Sequence, residues 1–525
     1  MIKVFVNNKS VLVPKNTSAL EACEAIGVSV PRFCYHERLN VAGNCRMCLV
    51  EVEKTPKPIA SCAFPVAPNM RIYTDTPLVQ KARENVLEFL LINHPLDCPI
   101  CDQGGECDLQ EQTMIFGSDR SRFFYSKRGV EDKNCGPLIK TIMTRCIHCT
   151  RCVRFFQDVA GQEDFGTTLR GQETEIGTYI GKNLDSELSG NIIDLCPVGA
   201  LTSKPYAFTA RPWEIKSVET IDISDSVGSN IKVNFKETEI LRILPAMNDT
   251  LNEEWISDKT RFLFDGLKVQ RVGQPYLKTG DKFSKIGWRQ ALNVFSESIK
   301  DFKESEILII CGDNLDLATL KALKYVCKAL NIDLGSENYF EINGNMMSDV
   351  RFNTTFSDIL ESDLCLTVGT NVRFEASLLN VRLKKQVRKG NFVKASIGLA
   401  DDCTYLNDSI GNSIDTLMSI AEGKHPFCKT ISKSKTPLII LGSSVRKRLD
   451  SESILFLVKN LSQYCNIVDE EWFGINFLPM SSNSVGKSFA GINSNNRIDL
   501  ENKKFIYCVG LDSESGVFSK ISFKD

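Results

Sequence analysis

The sequence predicts an α+β amino-terminal region followed by an α/β domain, and two observations support this division. The first is the distribution of cysteine. Of 20 cysteines, 13 lie at or before Cys196 and seven lie from Cys311 onward. The second is a change of pattern after Trp288, where cysteine-rich loops give way to short apolar runs that end in glycine and alternate with helical stretches. The two parts of the chain therefore differ in chemistry as well as in fold.

The composition excludes several classes of protein. The 63 basic and 65 acidic residues give a net charge of -2, so the sequence lacks the excess of positive charge that nucleic-acid binding needs. No apolar run reaches the roughly 20 residues that a membrane-spanning helix needs. The amino terminus begins with a strand-like pattern, so we expect no cleavable targeting sequence. Clustered C-x2-C pairs in such a chain favour metal binding over a disulfide framework.

The first elements form a strand, a strand and a helix. Ile2–Val6 and residues 10–13 are predicted to pair as a β-hairpin. Ser18 and Glu21 form a capping box for a short helix that is expected to end at Gly27. This order resembles the opening of a plant-type ferredoxin.

The first cysteine set has the spacing C-x10-C-x2-C-x13-C. Its members are Cys34, Cys45, Cys48 and Cys62. Four thiolates on a wrapping loop can hold a [2Fe-2S] cluster, and Gly43 lets the backbone approach the sulfurs. Val50 and Val52 are predicted to lie on the strand that leaves the loop. The alternative interpretations are a zinc site or buried free thiols.

The second set follows a predicted helix that begins at Thr76-Pro77, and its histidine lies at the end of that helix. The spacing is H-x3-C-x2-C-x5-C, in a loop rich in proline and glycine that cannot pack as a core element. Its members are His94, Cys98, Cys101 and Cys107. Taken alone, this set suits zinc or a [4Fe-4S] cluster.

The third set is C-x2-C-x2-C with a remote Cys-Pro, and its members are Cys146, Cys149, Cys152 and Cys196. Three evenly spaced cysteines fit three corners of a four-iron cubane, whereas zinc prefers two pairs. We therefore predict a second [4Fe-4S] cluster here. His148 lies between two ligands of a complete set and is assigned a packing or surface role.

The remaining cysteines belong to no C-x2-C pair and are interpreted as small hydrophobic residues. They are Cys23, Cys135, Cys311, Cys327, Cys365, Cys403, Cys428, Cys465 and Cys508.

These motifs resemble the large iron-sulfur subunit in the peripheral arm of respiratory complex I, the NADH:quinone oxidoreductase. The stretch His-Pro-Leu-Asp-Cys-Pro-Ile-Cys-Asp-Gln-Gly-Gly-Glu-Cys at residues 94–107 carries the resemblance most strongly, and residues 255–268 extend it. The family implies four domains. They are a [2Fe-2S] ferredoxin-like domain at 1–76, a [4Fe-4S] domain with one histidine and three cysteine ligands at 77–132, a four-cysteine [4Fe-4S] domain at 133–212, and an α/β domain at 213–525.

The α/β domain contains apolar runs at residues 307–312, 364–369, 437–442 and 505–510, with helical stretches such as 315–330 and 374–387 between them. This alternation predicts a parallel sheet. Each run ends in a lone glycine, and none forms a dinucleotide-binding G-x-G-x-x-G motif. The resemblance implies a molybdopterin-oxidoreductase domain without a molybdenum cofactor, shortened at its carboxyl end.

The resemblance also implies a function and a setting. Electrons are expected from a flavin-bearing, NADH-oxidising subunit and pass through one [2Fe-2S] and two [4Fe-4S] clusters toward quinone, with no complete active site on this chain. The alternative is the iron-sulfur part of an NAD-linked formate dehydrogenase or hydrogenase. Other peripheral-arm subunits are expected partners, and the membrane is reached only through the complex. The expected location is the matrix side of the mitochondrial inner membrane, in a protein encoded in the mitochondrion, or the cytoplasmic face of a bacterial inner membrane.

Overall fold

A computed structural model describes residues 1–336, 347–398, 402–446, 448–479, 481–492, 500 and 502–511, apart from the side chain of Ile180. The chain divides into two compact units. The first comprises Met1–Val218 and Val233–Leu244, and the second comprises Glu219–Lys232 and Pro245–Asp525. No helix within the described residues is long and apolar enough to cross a bilayer.

The first unit contains short strands and helices joined by long loops. In chain order they are β1 Ile2–Val6, β2 Lys9–Val13, α1 Ala19–Glu24, β3 Leu49–Val52, β4 Ile59–Ala60, β5 Arg71–Tyr73, α2 Pro77–Leu91, α3 Asp108–Phe116, β6 Ile139–Thr141, α4 Arg151–Phe155, β7 Phe165–Thr168, β8 Glu175–Thr178, α5 Asn191–Leu195 and β9 Leu201–Ser203.

The amino-terminal strands form one five-stranded sheet in the order β2-β1-β5-β3-β4. The predicted hairpin is confirmed, because β1 pairs antiparallel with β2 from Ile2 against Val13 to Val6 against Lys9. Both hydrogen bonds of the predicted capping box are present at Ser18. Helix α1 ends at Glu24, before the expected position, because a tight last turn carries the chain into Gly27 at φ +76°.

Helix α2 begins at Pro77, as predicted, and the Thr76 hydroxyl accepts a hydrogen bond from the Val79 N–H. Val79, Arg83 and Leu87 form its buried face. Since these positions are spaced by four residues, they lie on one side of the helix. The helix ends at Leu91, so the following residues are free to form the loop of the second ligand set.

Three strands follow, β10 Lys216–Ile221, β11 Asn230–Lys236 and β12 Glu239–Pro245, in a sheet of that order. The remaining elements are α6 Asp258–Phe262, β13 Tyr276–Thr279, β14 Lys282–Lys285, α7 Trp288–Lys300, β15 Ile307–Cys311, α8 Leu317–Leu330, β16 Asp333–Ser336, β17 Leu364–Val368, α9 Val372–Glu375, α10 Ser377–Lys389, β18 Val393–Ile397, β19 Asp408–Gly411, α11 Ile414–Ala421, α12 Cys428–Ile431, β20 Pro437–Leu441, α13 Ser443–Arg446, α14 Ser451–Tyr464, β21 Ile475–Phe477, α15 Ser484–Phe489 and β22 Phe505–Val509.

The second unit has the predicted parallel α/β pattern, and its apolar runs are distributed over two sheets. Strands β16-β15-β22 form one sheet, and β19-β18-β17-β20-β21 form the other, all in parallel pairs. Strands β15, β17 and β20 are buried along their whole length, which explains their unbroken apolar sequences. The end of the domain predicted at 213–525, residues 512–525, lies outside the described residues.

Two predicted helices differ in their boundaries. Helix α8 begins at Leu317, because the Asp316 side chain accepts a hydrogen bond from the Thr319 N–H and so caps the helix there. The stretch predicted as one helix over 374–387 is divided at Ala376, whose φ of -151° is not helical. The continuation, α10, extends two residues beyond the predicted end to Lys389, and Gly390 caps it in the left-handed conformation.

Candidate metal centres

The first cysteine set converges within the ferredoxin-like sheet. Its four thiols are buried, and the pairs Cys34–Cys45, Cys34–Cys62 and Cys48–Cys62 are within hydrogen-bonding reach. Hydrogen bonds from Cys45 and Cys62 lower the pKa of Cys34. A hydrogen bond from Cys62 likewise lowers the pKa of Cys48 to about 6. The same hydrogen bonds and burial raise the pKa of Cys45 and Cys62. Two thiols of the set therefore favour the thiolate form, and the other two would release their protons when metal binds.

Left-handed backbone positions shape the loop around these thiols. Arg46, between the cysteines of the C-x2-C pair, has φ +61°, and Gly43 has φ +63°. The Cys34 N–H donates to the Cys45 sulfur at 3.4 Å. Since a non-glycine residue in this region costs about 1 kcal/mol, the contacts of the folded loop must hold the turn at Arg46.

The second set lines a cavity of about 210 Å³, and all four predicted ligands contribute to its wall. His94 follows α2, with its N–H bonded to the Leu91 carbonyl at 3.2 Å. Its Nδ1 atom is buried and has no hydrogen-bond partner. Burial lowers the pKa of His94, which keeps the imidazole neutral and able to act as a ligand. This donor set fits a [4Fe-4S] cluster.

Three arginines hold the loop of the second set from outside. Arg211 donates to the carbonyl oxygens of Cys101 and Pro99, each at 2.6 Å. Arg145 donates to Asp97 at 3.0 Å. Arg242 forms a bidentate ion pair with Glu106, in which Nη1 and Nη2 donate to the two carboxylate oxygens at 2.7 and 2.8 Å. Because each arginine comes from a distant part of the first unit, the loop is fixed by tertiary contacts.

Gly199 lies against the second set, although it follows the last ligand of the third. A Cβ atom at this position would stand 2.2 Å from the Cys101 sulfur and 3.2 Å from the Gln103 Cβ. Only glycine leaves room for that sulfur. The short segment after Cys196 therefore borders both sites.

The third set lines a small apolar cavity with Ile176, Val198 and Leu201. Cys152 lies in the first turn of α4, and Cys196 directly follows α5. His148 and Thr150 both adopt left-handed conformations, at φ +54° and +61°, so each C-x2-C step turns sharply. All four predicted ligands therefore face one space.

Burial dominates the protonation of the third set. It raises the pKa of every thiol in the set, that of Cys196 to about 12. Such thiols stay protonated unless a positive centre binds them, and metal binding releases the proton. The His148 N–H already points at the Cys146 sulfur at 3.4 Å. The His148 ring bonds instead to the Thr174 carbonyl at 2.9 Å, in keeping with the packing role assigned to it.

The other cysteines have the predicted burial in most cases. Six of them are buried, and Cys428, Cys465 and Cys508 are half-buried. Burial raises the pKa of Cys135 to about 11, which makes it an inert thiol.

Among the residues that the structure describes, no group of three or more His, Cys, Asp or Glu side chains is placed to hold a single metal ion.

Sequence reasoning did not identify the residues that surround the ligands. Arg145, Arg154, Arg211, Arg242 and Gly199 contact the cysteine loops or the residues beside them. Their contacts join parts of the chain that are far apart in sequence. Closeness to a ligand in sequence could have drawn attention to two of them. Arg145 directly precedes Cys146, and Gly199 lies three residues after Cys196.

Family models match nearly the whole chain. They are described as "2Fe-2S iron-sulfur cluster binding domain" at residues 1–77, "NADH-ubiquinone oxidoreductase-G iron-sulfur binding region" at 83–122, and "NADH-quinone oxidoreductase subunit 3, ferredoxin-like domain" at 136–202. A fourth, "NADH-ubiquinone oxidoreductase NDSU1/NuoG-like, 4Fe-4S domain", matches 215–265, where this chain has no cysteine. "Molybdopterin oxidoreductase" matches 271–517.

Curated relatives align with almost the full length of this chain. The "NADH-ubiquinone oxidoreductase 75 kDa subunit" of Reclinomonas americana is 52% identical over 534 residues, which cover 98% of this chain and 77% of the relative. The chain belongs to the family of this subunit. "NADH dehydrogenase [ubiquinone] iron-sulfur protein 1, mitochondrial" of Solanum tuberosum is 49% identical, covering 98% and 70%. The G subunit of the NADH-quinone oxidoreductase of Rickettsia felis is 46% identical, covering 98% and 76%.

As a member of this family, the chain is an iron-sulfur electron-transfer subunit of NADH:quinone oxidoreductase. The predicted fold class and function are confirmed, and the relatives support this function over the formate dehydrogenase or hydrogenase alternative. Among solved structures, one chain of an NAD+-reducing [NiFe]-hydrogenase is 28% identical. The match covers 40% of this chain and 90% of that chain, with a TM-score of 0.37.

Proposed function

We propose that the three ligand sets hold one [2Fe-2S] and two [4Fe-4S] clusters that carry single electrons from a flavin-bearing, NADH-oxidising subunit toward quinone. The [2Fe-2S] ligands are Cys34, Cys45, Cys48 and Cys62. The [4Fe-4S] ligands are His94, Cys98, Cys101 and Cys107 in one site, and Cys146, Cys149, Cys152 and Cys196 in the other. When bound, each cluster accepts and releases one electron at a time.

The convergence of each set supports this assignment more than any other observation. Every predicted ligand of the second and third sets lines the cavity of its own site, and three pairs link the four thiols of the first set within hydrogen-bonding reach. A cubane needs more room than a single ion, and the second site has a cavity of about 210 Å³. The cavity at the third site is about 10 Å³, so the assignment there rests on the type and spacing of its four ligands. No molybdenum cofactor is part of the proposal.

The contacts between the sites support an order of electron transfer that differs from the order in the sequence. The loop of the first set bonds to the third, through Arg154 to the Cys34 carbonyl and through Asn44 to the His148 carbonyl at 2.9 Å. The third set adjoins the second, where the Cys107 sulfur lies 3.6 Å from the Pro197 carbonyl oxygen. Electrons would therefore pass from the first set to the third and then to the second.

The second site is the proposed exit toward the other subunits. Exposed apolar side chains lie beside it, at Leu96 and Ile100 in its loop and at Met114 on the following helix, α3. Exposed apolar groups around a redox site favour contact with another protein. We place the chain in the peripheral arm, reached by the membrane only through the complex, on the matrix side of the mitochondrial inner membrane or its bacterial counterpart. The proposed domains are 1–76, 77–132, 133–212 and 213–525.

The test is an anaerobic preparation of the full chain, with analysis of iron, sulfide, zinc and molybdenum and with EPR spectra of the reduced protein. We expect one [2Fe-2S] and two [4Fe-4S] signals without molybdenum. Cys48→Ser, Cys101→Ser and Cys149→Ser should each remove a different signal and leave the other two. Protein that contains zinc alone, or one substitution that removes all three signals from a folded chain, would refute the assignment.

A further inference from the structure

Arg154 is a buried cation between the first and third cysteine sets. It lies on α4, two residues after Cys152, and its side chain points at the loop of the first set. One guanidinium nitrogen, Nη2, donates to the carbonyls of both Cys34 and Cys149, the latter at 3.2 Å. Nη1 donates to the Asn40 carbonyl at 2.5 Å. A single planar group thus bonds to one ligand residue from each set.

The partners of Arg154 compensate its charge only in part. Within the part of the chain that the structure describes, its hydrogen-bond acceptors are neutral, namely three carbonyl oxygens and the Thr150 hydroxyl at 3.3 Å, while the Asp158 carboxylate attracts it through space. The acidic residue nearest in sequence, Asp158, accepts hydrogen bonds from the N–H and amide of Asn40 at 3.0 and 2.8 Å. Burial of a charge is costly unless nearby groups of opposite sign offset it, so further negative charge beside Arg154 would stabilise it.

Clusters bound by four thiolates are anionic, and one on each side of Arg154 would supply that negative charge. We propose that Arg154 is a positioning residue that couples these two clusters, giving positive charge to both and fixing their ligand backbones against each other. This inference rests on the ligand assignment of the proposed function. Arg151 reinforces the same junction, since its Nη2 donates to the Tyr35 carbonyl at 2.9 Å.

The chemical consequence is a matched effect on two potentials. Positive charge favours the reduced, more negative form of each cluster and so raises its reduction potential. Because one guanidinium would act on both clusters, both potentials would rise together and the difference between them would change little. With both clusters bound, an electron passing between them would oxidise the [2Fe-2S] cluster and reduce the four-cysteine cluster. No bond forms or breaks, and Arg154 keeps its proton throughout.

The test is an EPR-monitored redox titration of the full chain with its clusters, comparing Arg154→Gln with the unmodified protein. We expect the potentials of the first and third sites to fall together, with the His94 site unchanged. Arg83→Gln is the matched control. It removes another buried arginine, which donates to the Leu49 carbonyl at 3.2 Å beside Cys48, and should alter the first site alone. Unchanged potentials in a fully loaded Arg154→Gln protein, or a fall at one site only, would overturn the proposal.

Arg154→Lys provides a second measurement if the glutamine variant loses a cluster. Lysine keeps the charge but lacks the planar fork that spans the carbonyls. We expect potentials close to those of the unmodified protein and a weaker magnetic interaction between the two reduced clusters. An undiminished interaction would overturn the coupling role. If the unmodified chain shows no three-cluster pattern, the proposed function itself fails, whereas three signals that do not respond to Arg154 overturn this inference alone.

Discussion

The Sγ atom of Cys107 lies 3.6 Å from the carbonyl oxygen of Pro197, although 90 positions separate the two residues in sequence. Pro197 directly follows Cys196, so one close contact and one peptide unit separate two proposed cluster ligands. This contact makes the segment from Cys196 to Gly199 a shared wall of two sites. Changes in this wall therefore affect the second site even when they are made beside the third.

Gly199→Ala should expel the cluster from the second site. The new methyl group would stand 2.2 Å from the Cys101 sulfur, so the loop of that ligand must move. Overpacking of this kind costs about 1–3 kcal/mol. We expect the EPR signal of the His94 cluster to be lost or strongly reduced, with the [2Fe-2S] signal retained.

The matched control for Gly199 is Gly166→Ala in β7. A Cβ atom there meets nothing within 4 Å, so all three signals should persist. Equal cluster loss in both variants would show that the close approach at Cys101 is not the cause.

His94 should determine the character of the second cluster. His94→Cys replaces a neutral ligand by a thiolate, so we expect a four-iron cluster with a lower reduction potential. His94→Ala leaves the fourth iron without this ligand and should lower iron content and alter the EPR spectrum. His148→Asn tolerates the left-handed backbone at φ +54° and serves as the control. An unchanged spectrum in His94→Ala would remove His94 from the ligand set.

The hairpin and the capping box were predictable from sequence because both depend on residues that are close together in the chain. The ligand sets could be proposed from sequence for the same reason, since each consists mainly of short, fixed spacings. The arginines were not predictable, since Arg154 and Arg211 act on carbonyl groups more than 100 positions away. A backbone carbonyl leaves no residue signature for such a partner. The distribution of the strands over two sheets in the second unit was not predictable either. It depends on pairing between strands far apart in sequence, as between β15 and β22, which are separated by nearly 200 positions.

Arg242→Met should weaken the second site without removing a ligand. The guanidinium holds Glu106, which precedes Cys107, by two hydrogen bonds of 2.7 and 2.8 Å, and it also bonds to Asn234 at 2.9 Å. Loss of a half-buried, charge-assisted pair costs about 1–3 kcal/mol. We expect faster loss of iron from the His94 cluster to a chelator. Lys236→Met, which removes a more exposed pair with Glu214, should leave that rate unchanged.

Asp363 should make the second unit sensitive to acid. Burial raises the pKa of its carboxyl, but hydrogen bonds from the Lys435 N–H at 2.8 Å, the Ser434 hydroxyl and the Thr436 N–H at 3.2 Å more than offset this. The folded-state pKa therefore lies below the unfolded value of about 3.9. For this sign of shift, the stabilisation is complete above the unfolded value and is lost as the pH falls through the folded one.

Asp363→Asn should accordingly lower the free energy of unfolding of this unit by about 1–3 kcal/mol at neutral pH, because the charge-assisted hydrogen bonds are weakened. Below pH 4 the difference from the unmodified protein should shrink, since both chains then carry a neutral group at this position. Chemical denaturation across that range measures the effect, and Asp415→Asn on an exposed helix start is the control. A deficit that stays constant from neutral pH into acid would show that the carboxylate charge at Asp363 contributes nothing.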